Sequence, residues 1–178
     1  GTNLPMRNRI TVIGLGNILL KDEGVGVHAV EALKRNYDFP EEVRLIDGGT
    51  LGLDLLPLIE GAEKVLFVDA MDLKKEPGAM AVVEDREIPS LLEPKLSLHH
   101  VGLSDLLFAA RFTGNQPAKM ALIGMQPATM EVGLDLSAAV QGRFEELLRT
   151  VVEKLREWGL EVKEKMVREP ADVPGRSV

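Results

Sequence analysis

Apolar residues concentrate in five short runs, at 9–13, 43–46, 64–68, 79–83 and 119–124, separated by stretches with helical spacing. Most of these runs are continuous rather than alternating, which is the pattern of strands covered on both faces. After the first run, Val27, Val30 and Leu33 mark one face of a helix over 25–35, and Lys34 and Arg35 stand where cations complement a helix dipole. Shorter helices are expected over 53–59 and 103–111. A long one is expected over 136–158, where Phe144, Leu147, Leu148, Val151 and Leu155 share a face while Glu145, Glu146, Arg149, Glu153 and Arg156 stay outside.

The opening β-α-β-α-β order predicts a parallel sheet with right-handed crossovers and helices on both faces. Only residues 70–78 join the third and fourth runs, too few for a helical crossover, so the fourth strand is expected to be antiparallel and at an edge. Residues 6–160 read as a single α/β domain. The charged segment 161–178, with Pro170 and Pro174, reads as a flexible C-terminal tail.

Composition narrows the function classes. The chain has 178 residues, 45% hydrophobic and 28% charged, as in a globular domain with a sizeable core. No apolar run is long enough to span a bilayer and the N-terminus lacks a signal-peptide layout, so a cytoplasmic protein without a membrane partner is expected. There is no cysteine, which removes disulfides, thiolate ligands and a cysteine nucleophile. A net charge of -7 opposes phosphate-rich partners, and 4% aromatic residues leave little for base stacking, so no nucleic-acid partner is expected.

The segment from Gly14 to Gly26 follows the first strand and opens the first helix, where a nucleotide-binding turn would lie. The third glycine of the dinucleotide fingerprint is replaced by Leu19, and Asp22 and Glu23 stand where a phosphate would bind a helix N-terminus. No Walker lysine follows, nor does the chain hold a Gly-x-Ser-x-Gly elbow or a His-Glu-x-x-His helix. Ligands in open α/β sheets bind beyond the carboxyl ends of the strands. The polar residues expected there are Asp22 and Glu23, Asp47, Asp69 and Asp72, and Lys119 or Gln126, with His99 and His100 ahead of the third helix. Two carboxylates and an imidazole make an oxygen and nitrogen set suited to zinc, nickel, cobalt or manganese with open positions; solvated carboxylates and helix caps are the plainer alternative. Asp22 reads as an N-cap, Asp72 as turn chemistry, and Asp47 either as the holder of its own Asx-type turn or as a substrate contact. The methionines at 71, 80, 120, 125 and 130 read as core and edge packing.

Four co-linear segments, Gly14 to Gly26, Asp47-Gly48-Gly49-Thr50, Val68-Asp69-Ala70 and Ser97 to Leu103, with the turn Arg111 to Gly114, together resemble the hydrogenase maturation endopeptidases over 9–158. The resemblance implies a three-layer α/β/α fold with a five-stranded mixed, mostly parallel sheet and one antiparallel edge strand. It implies removal of a C-terminal peptide from the nickel-loaded precursor of a nickel-iron hydrogenase large subunit. Carried over by motif, the metal-contacting and catalytic residues are Glu23, Asp69 and His99, with His100 second to His99, and Asp47, Gly48, Gly49 and Thr50 are a substrate-contact loop. The nickel is carried by the substrate, with zinc or another divalent ion as a surrogate; a catalytic ion held by the same residues is the variant scheme. Two rival functions stand beside this one: a nickel checkpoint or chaperone that grips the precursor without cutting it, and a nucleotide-binding α/β protein.

Overall fold

The computed structural model describes residues 9–88, 100–114 and 116–166. The strands, in chain order, are β1 (Ile10–Leu15), β2 (Tyr37–Asp38), β3 (Val43–Gly49), β4 (Lys64–Ala70), β5 (Met80–Glu84), β6 (Lys119–Met125) and β7 (Lys163–Glu164). The central sheet has the order β3-β1-β4-β6-β5. β1 lies parallel to β3 and β4, β4 parallel to β6, and β5 antiparallel to β6 at the edge. The short connection between β4 and β5 thus turns the chain back, as its length requires. Every residue of β1 is buried, and β4 and β6 are buried beyond their first residue, which explains their unbroken apolar runs.

The helices α1 (Val25–Asn36), α2 (Leu56–Glu60), α3 (His100–Phe112) and α4 (Ala138–Glu157) cover the sheet in two layers. Successive strand residues point to opposite faces. Val12, Val68 and Ile123 pack with Val30 and Leu33 of α1 and with Phe144, Leu148 and Val151 of α4. Ile13, Phe67 and Leu122 pack with Ile59 of α2 and with Leu103 and Leu106 of α3. The result is a three-layer α/β/α sandwich with a mixed, mostly parallel five-stranded sheet.

Three local expectations need adjustment. The helix expected over 53–59 begins as a tight 3-10 turn, Gly52–Leu55, and becomes α-helical at Leu56, with Pro57 in the first turn where a missing N–H breaks no bond. The segment expected to be a tail is part of the fold at its start. Val162 is buried, β7 pairs with β2, and the Arg156 guanidinium donates to the Val162 carbonyl. Alternation of Leu160 and Val162 with charged neighbours directs both apolar side chains into the α1/α4 layer; residues 167–178 lie outside the described ones. Met71, Met120 and Met125 are core residues as expected, but Met130 is exposed.

One charged side chain enters the structure deeply. Lys154 of α4 is buried, and its ammonium bonds Glu84 on the edge strand β5 and Glu157 one turn on. Burial pushes this ammonium down, but its bonds to the two carboxylates outweigh that, so its pKa lies above the ordinary lysine value. Among the described residues no helix is long and apolar enough to cross a membrane.

Candidate active site

Three loops meet at the carboxyl ends of the parallel strands: the turn after β1, the loop after β3 and the end of β4. Gly16, just past β1, has φ +120°, and a Cβ there would stand 1.9 Å from the Glu23 carbonyl oxygen and 3.5 Å from Asp69 Oδ1. Only glycine fits between these two acidic residues. Gly26 is equally constrained: a Cβ would meet the Val68 carbonyl oxygen at 2.0 Å, so α1 starts directly against β4. The glycine spacing that resembles a phosphate-binding turn serves instead to press a carboxylate-bearing turn onto the sheet.

Glu23 and Asp69 are both 2% exposed. Asp69 Oδ1 accepts from the Ala70 N–H at 2.8 Å, which orients its carboxylate at the strand end. Beside it a cleft of about 100 Å³ is lined by Leu15, Gly16, Gly49, Thr50, Asp69 and Leu106, among others. The loop after β3 reaches the cleft through a bulge, since Gly14 pairs with Asp47 but Leu15 with Gly49, leaving Gly48 out of register. Gly49 and Thr50 therefore line the cleft, whereas Asp47 is exposed at its margin and Gly48 packs over Ile13.

Asp22 is not the N-cap expected of it. It is wholly buried, and its carboxylate accepts from three backbone N–H groups: Ala128 (2.8 Å), Thr129 (3.3 Å) and Ser137 (2.7 Å). Ser137 in turn caps α4 by accepting from the Val140 N–H. One carboxylate thus couples the Glu23 turn to the 126–137 loop and to the start of α4. Gln126 plays a comparable part on the other side, its Oε1 accepting from the Leu73 N–H at 2.5 Å while its Nε2 donates to Asp72. Neither role has a local sequence signal, because the partners lie 106 to 115 positions from Asp22 and 53 or 54 from Gln126.

Of the expected metal-contacting residues, the structure sets Glu23, through its backbone carbonyl, and Asp69, through its carboxylate, beside Gly16. His99 lies outside the described residues, and His100 begins α3. Among the described residues no three His, Asp or Glu side chains stand together as a metal site. The donors present are two hard oxygen groups, which suit a divalent cation and oppose a phosphate.

The family model for hydrogenase maturation protease matches residues 27–154. The hydrogenase 2 maturation protease of Escherichia coli K12 is 43% identical over 154 residues, covering 86% of this chain and 94% of that protein. The hydrogenase expression/formation protein HupD of Rhizobium leguminosarum bv. viciae is 43% identical over 160 residues, 89% of this chain and 79% of that one. Among solved structures, the hydrogenase maturating endopeptidase HybD from E. coli superimposes with a TM-score of 0.84 at 41% identity, covering 88% of this chain and 98% of that one. The [NiFe] hydrogenase maturation protease HybD from Thermococcus kodakarensis does so at 0.69 and 26% identity, covering 83% and 98%. Fold, cleft and relatives define a peptidase of the α/β/α class. The chain belongs to the hydrogenase maturation protease family.

Proposed function

We propose that this protein removes the C-terminal extension from the precursor of a nickel-iron hydrogenase large subunit after nickel has been inserted, with Glu23, Asp69 and His99 contacting the substrate's nickel. The observation that carries the proposal is that two buried acidic residues meet at Gly16, Glu23 through its backbone carbonyl and Asp69 through its carboxylate, in a chain of this family. Carboxylates held out of water are expensive unless a cation or hydrogen-bond donors compensate their charge. Nickel delivered by the substrate is such a cation, and oxygen and imidazole donors suit it. A precursor without metal offers no anchor, so recognition doubles as a check that insertion is complete.

Hydrolysis adds water across the scissile amide. A carboxylate takes a proton from the water as its oxygen bonds the carbonyl carbon, and a proton is delivered to the nitrogen as the C–N bond breaks. Glu23 and Asp69 are the carboxylates at hand, and the Asp47 to Thr50 loop is the contact for the substrate backbone, with Gly49 and Thr50 on the cleft wall. Incubation with nickel-loaded precursor should release a C-terminal peptide, read by intact mass, whereas nickel-free precursor should keep its mass. Glu23→Gln and Asp69→Asn should each slow release by about a hundredfold or more. Complex formation with no mass change by the unmodified protein would establish a checkpoint that grips without cutting.

A further inference from the structure

Leu51, Leu53, Val82, Phe108, Phe112 and Met166 are exposed apolar residues elsewhere on the molecule, but five others fall on just two segments. Among the described residues these are Leu19 and Ile18 on the turn after β1 and Met130, Val132 and Leu134 on the 126–137 loop, two segments bridged side by side at Leu20 and Gly133, and they form a strip, Val132 being 84% and Leu134 60% exposed. The two segments are bonded to one another. Gly133 N–H donates to the Leu19 carbonyl at 2.8 Å, Lys21 N–H donates to the Gly133 carbonyl at 2.9 Å, and Asp22 accepts from Ala128, Thr129 and Ser137. The loop has no regular secondary structure of its own, yet its backbone is pinned at both ends and in the middle. Its apolar side chains are therefore held out in solvent in a fixed arrangement rather than folded back on the core. Surfaces of this kind mark contacts with other molecules.

We infer that this strip is the docking surface for the folded body of the precursor protein, gripping an apolar face beside the scissile segment; the inference rests on the endopeptidase reading given above. Two observations select that occupant. The cleft beside Asp69, about 100 Å³, is well below the size of a pocket that holds a ligand on its own, so affinity must come from surface outside it. The strip is also continuous with the catalytic turn, for the same 3-10 segment, Lys21–Gly24, carries the loop's anchor Asp22 and the site residue Glu23. A partner seated on Val132 and Leu134 lies within a few residues of the site by covalent and hydrogen-bonded connection. Lys21, Glu131 and Asp135 intersperse charge along the strip, as at the polar rim of a protein interface.

The test is steady-state cleavage of purified nickel-loaded precursor by the unmodified protein, by the double variant Val132→Glu with Leu134→Glu, and by Phe112→Glu. Phe112 is 82% exposed at the far end of α3 and serves as the control. All three positions are exposed, so circular dichroism and Tm should not change. The double variant should raise KM about tenfold or more with kcat at saturation retained, since a charge placed in an apolar contact acts on binding; Phe112→Glu should change neither. Unaltered KM in the double variant overturns the docking surface, as does a fall in kcat with KM unchanged. A dimer of the unmodified protein that the double substitution dissociates, seen by sedimentation, assigns the strip to a second copy and overturns it too. If the unmodified protein neither binds nor cleaves the precursor, the endopeptidase reading itself falls, which separates that failure from the others.

Discussion

At the scale of single residues, this structure separates two neighbouring carboxylates that sequence makes look alike. Glu23 is buried with its backbone carbonyl against Gly16, which lines the cleft, while Asp22 spends its acceptor capacity on three amides of a remote loop. Asp22→Asn preserves size but replaces one acceptor oxygen with an NH2 group, so either Ser137 N–H or the Ala128 and Thr129 pair faces a donor. A buried donor left unmatched costs about 1 to 3 kcal/mol, more when a charge-assisted bond is lost. We expect Asp22→Asn to lower stability by about 2 kcal/mol, a Tm fall of roughly 4 to 8 °C for a chain of this size. Hydrogen exchange should show amides 128, 129 and 137 losing protection, whereas Glu23→Gln should leave those three amides as they are. Equal protection in the two variants would remove Asp22 from its clamping role.

At the scale of elements, α4 and the edge strand β5 are joined by a charge that shapes how stability responds to pH. The Lys154 ammonium is raised in pKa by Glu84 and Glu157 against the lowering effect of burial. A cation whose folded pKa exceeds its unfolded value contributes stability in full below the unfolded value, about 10.4 for lysine, and loses it as pH rises through the folded value. Lys154→Met keeps the aliphatic stem and removes the charge. Because Glu84 and Glu157 are both partly exposed, water screens the pair, and the expected loss is only about 1 kcal/mol. Denaturant titrations should give a constant difference between variant and unmodified protein from neutral pH to about 9, closing above the lysine range; a difference that widens with alkalinity would contradict the assignment. The elements themselves were legible in sequence for a physical reason. Strands buried on both faces write continuous apolar runs, α4 writes a long amphipathic stripe, and a nine-residue link at 70–78 leaves β5 no route but antiparallel. The carboxylates at the strand ends were legible because open α/β sheets place ligands there. What stayed hidden has no local signature: the bonds from Asp22 to a loop over a hundred positions away, and the pairing of two-residue β2 and β7.

At the scale of the whole molecule, the candidate cleft beside Asp69 and the closing of the fold lie at opposite ends of α1. The helix leaves the Glu23 turn at Val25 and ends at Asn36, whose carbonyl accepts from the Lys165 N–H. Twelve residues at about 1.5 Å each put roughly 18 Å between the two ends. The C-terminal segment seals the far end: Leu160 and Val162 enter the core with α1 and α4, and β7 pairs with β2. Ending the chain after Gly159 removes both buried side chains, each worth about 1.5 to 3 kcal/mol, and uncovers Tyr37 and the end of α4. A loss of about 3 kcal/mol should lower Tm by roughly 6 to 12 °C. The cleft residues keep all their own contacts, so cleavage of the precursor well below the transition should proceed at the unmodified kcat and KM. Thermal unfolding with a parallel cleavage assay reads both quantities. Truncated protein that keeps its Tm but loses cleavage would mean that the C-terminal segment acts on the site and not on the fold, and the division of labour along α1 would be wrong.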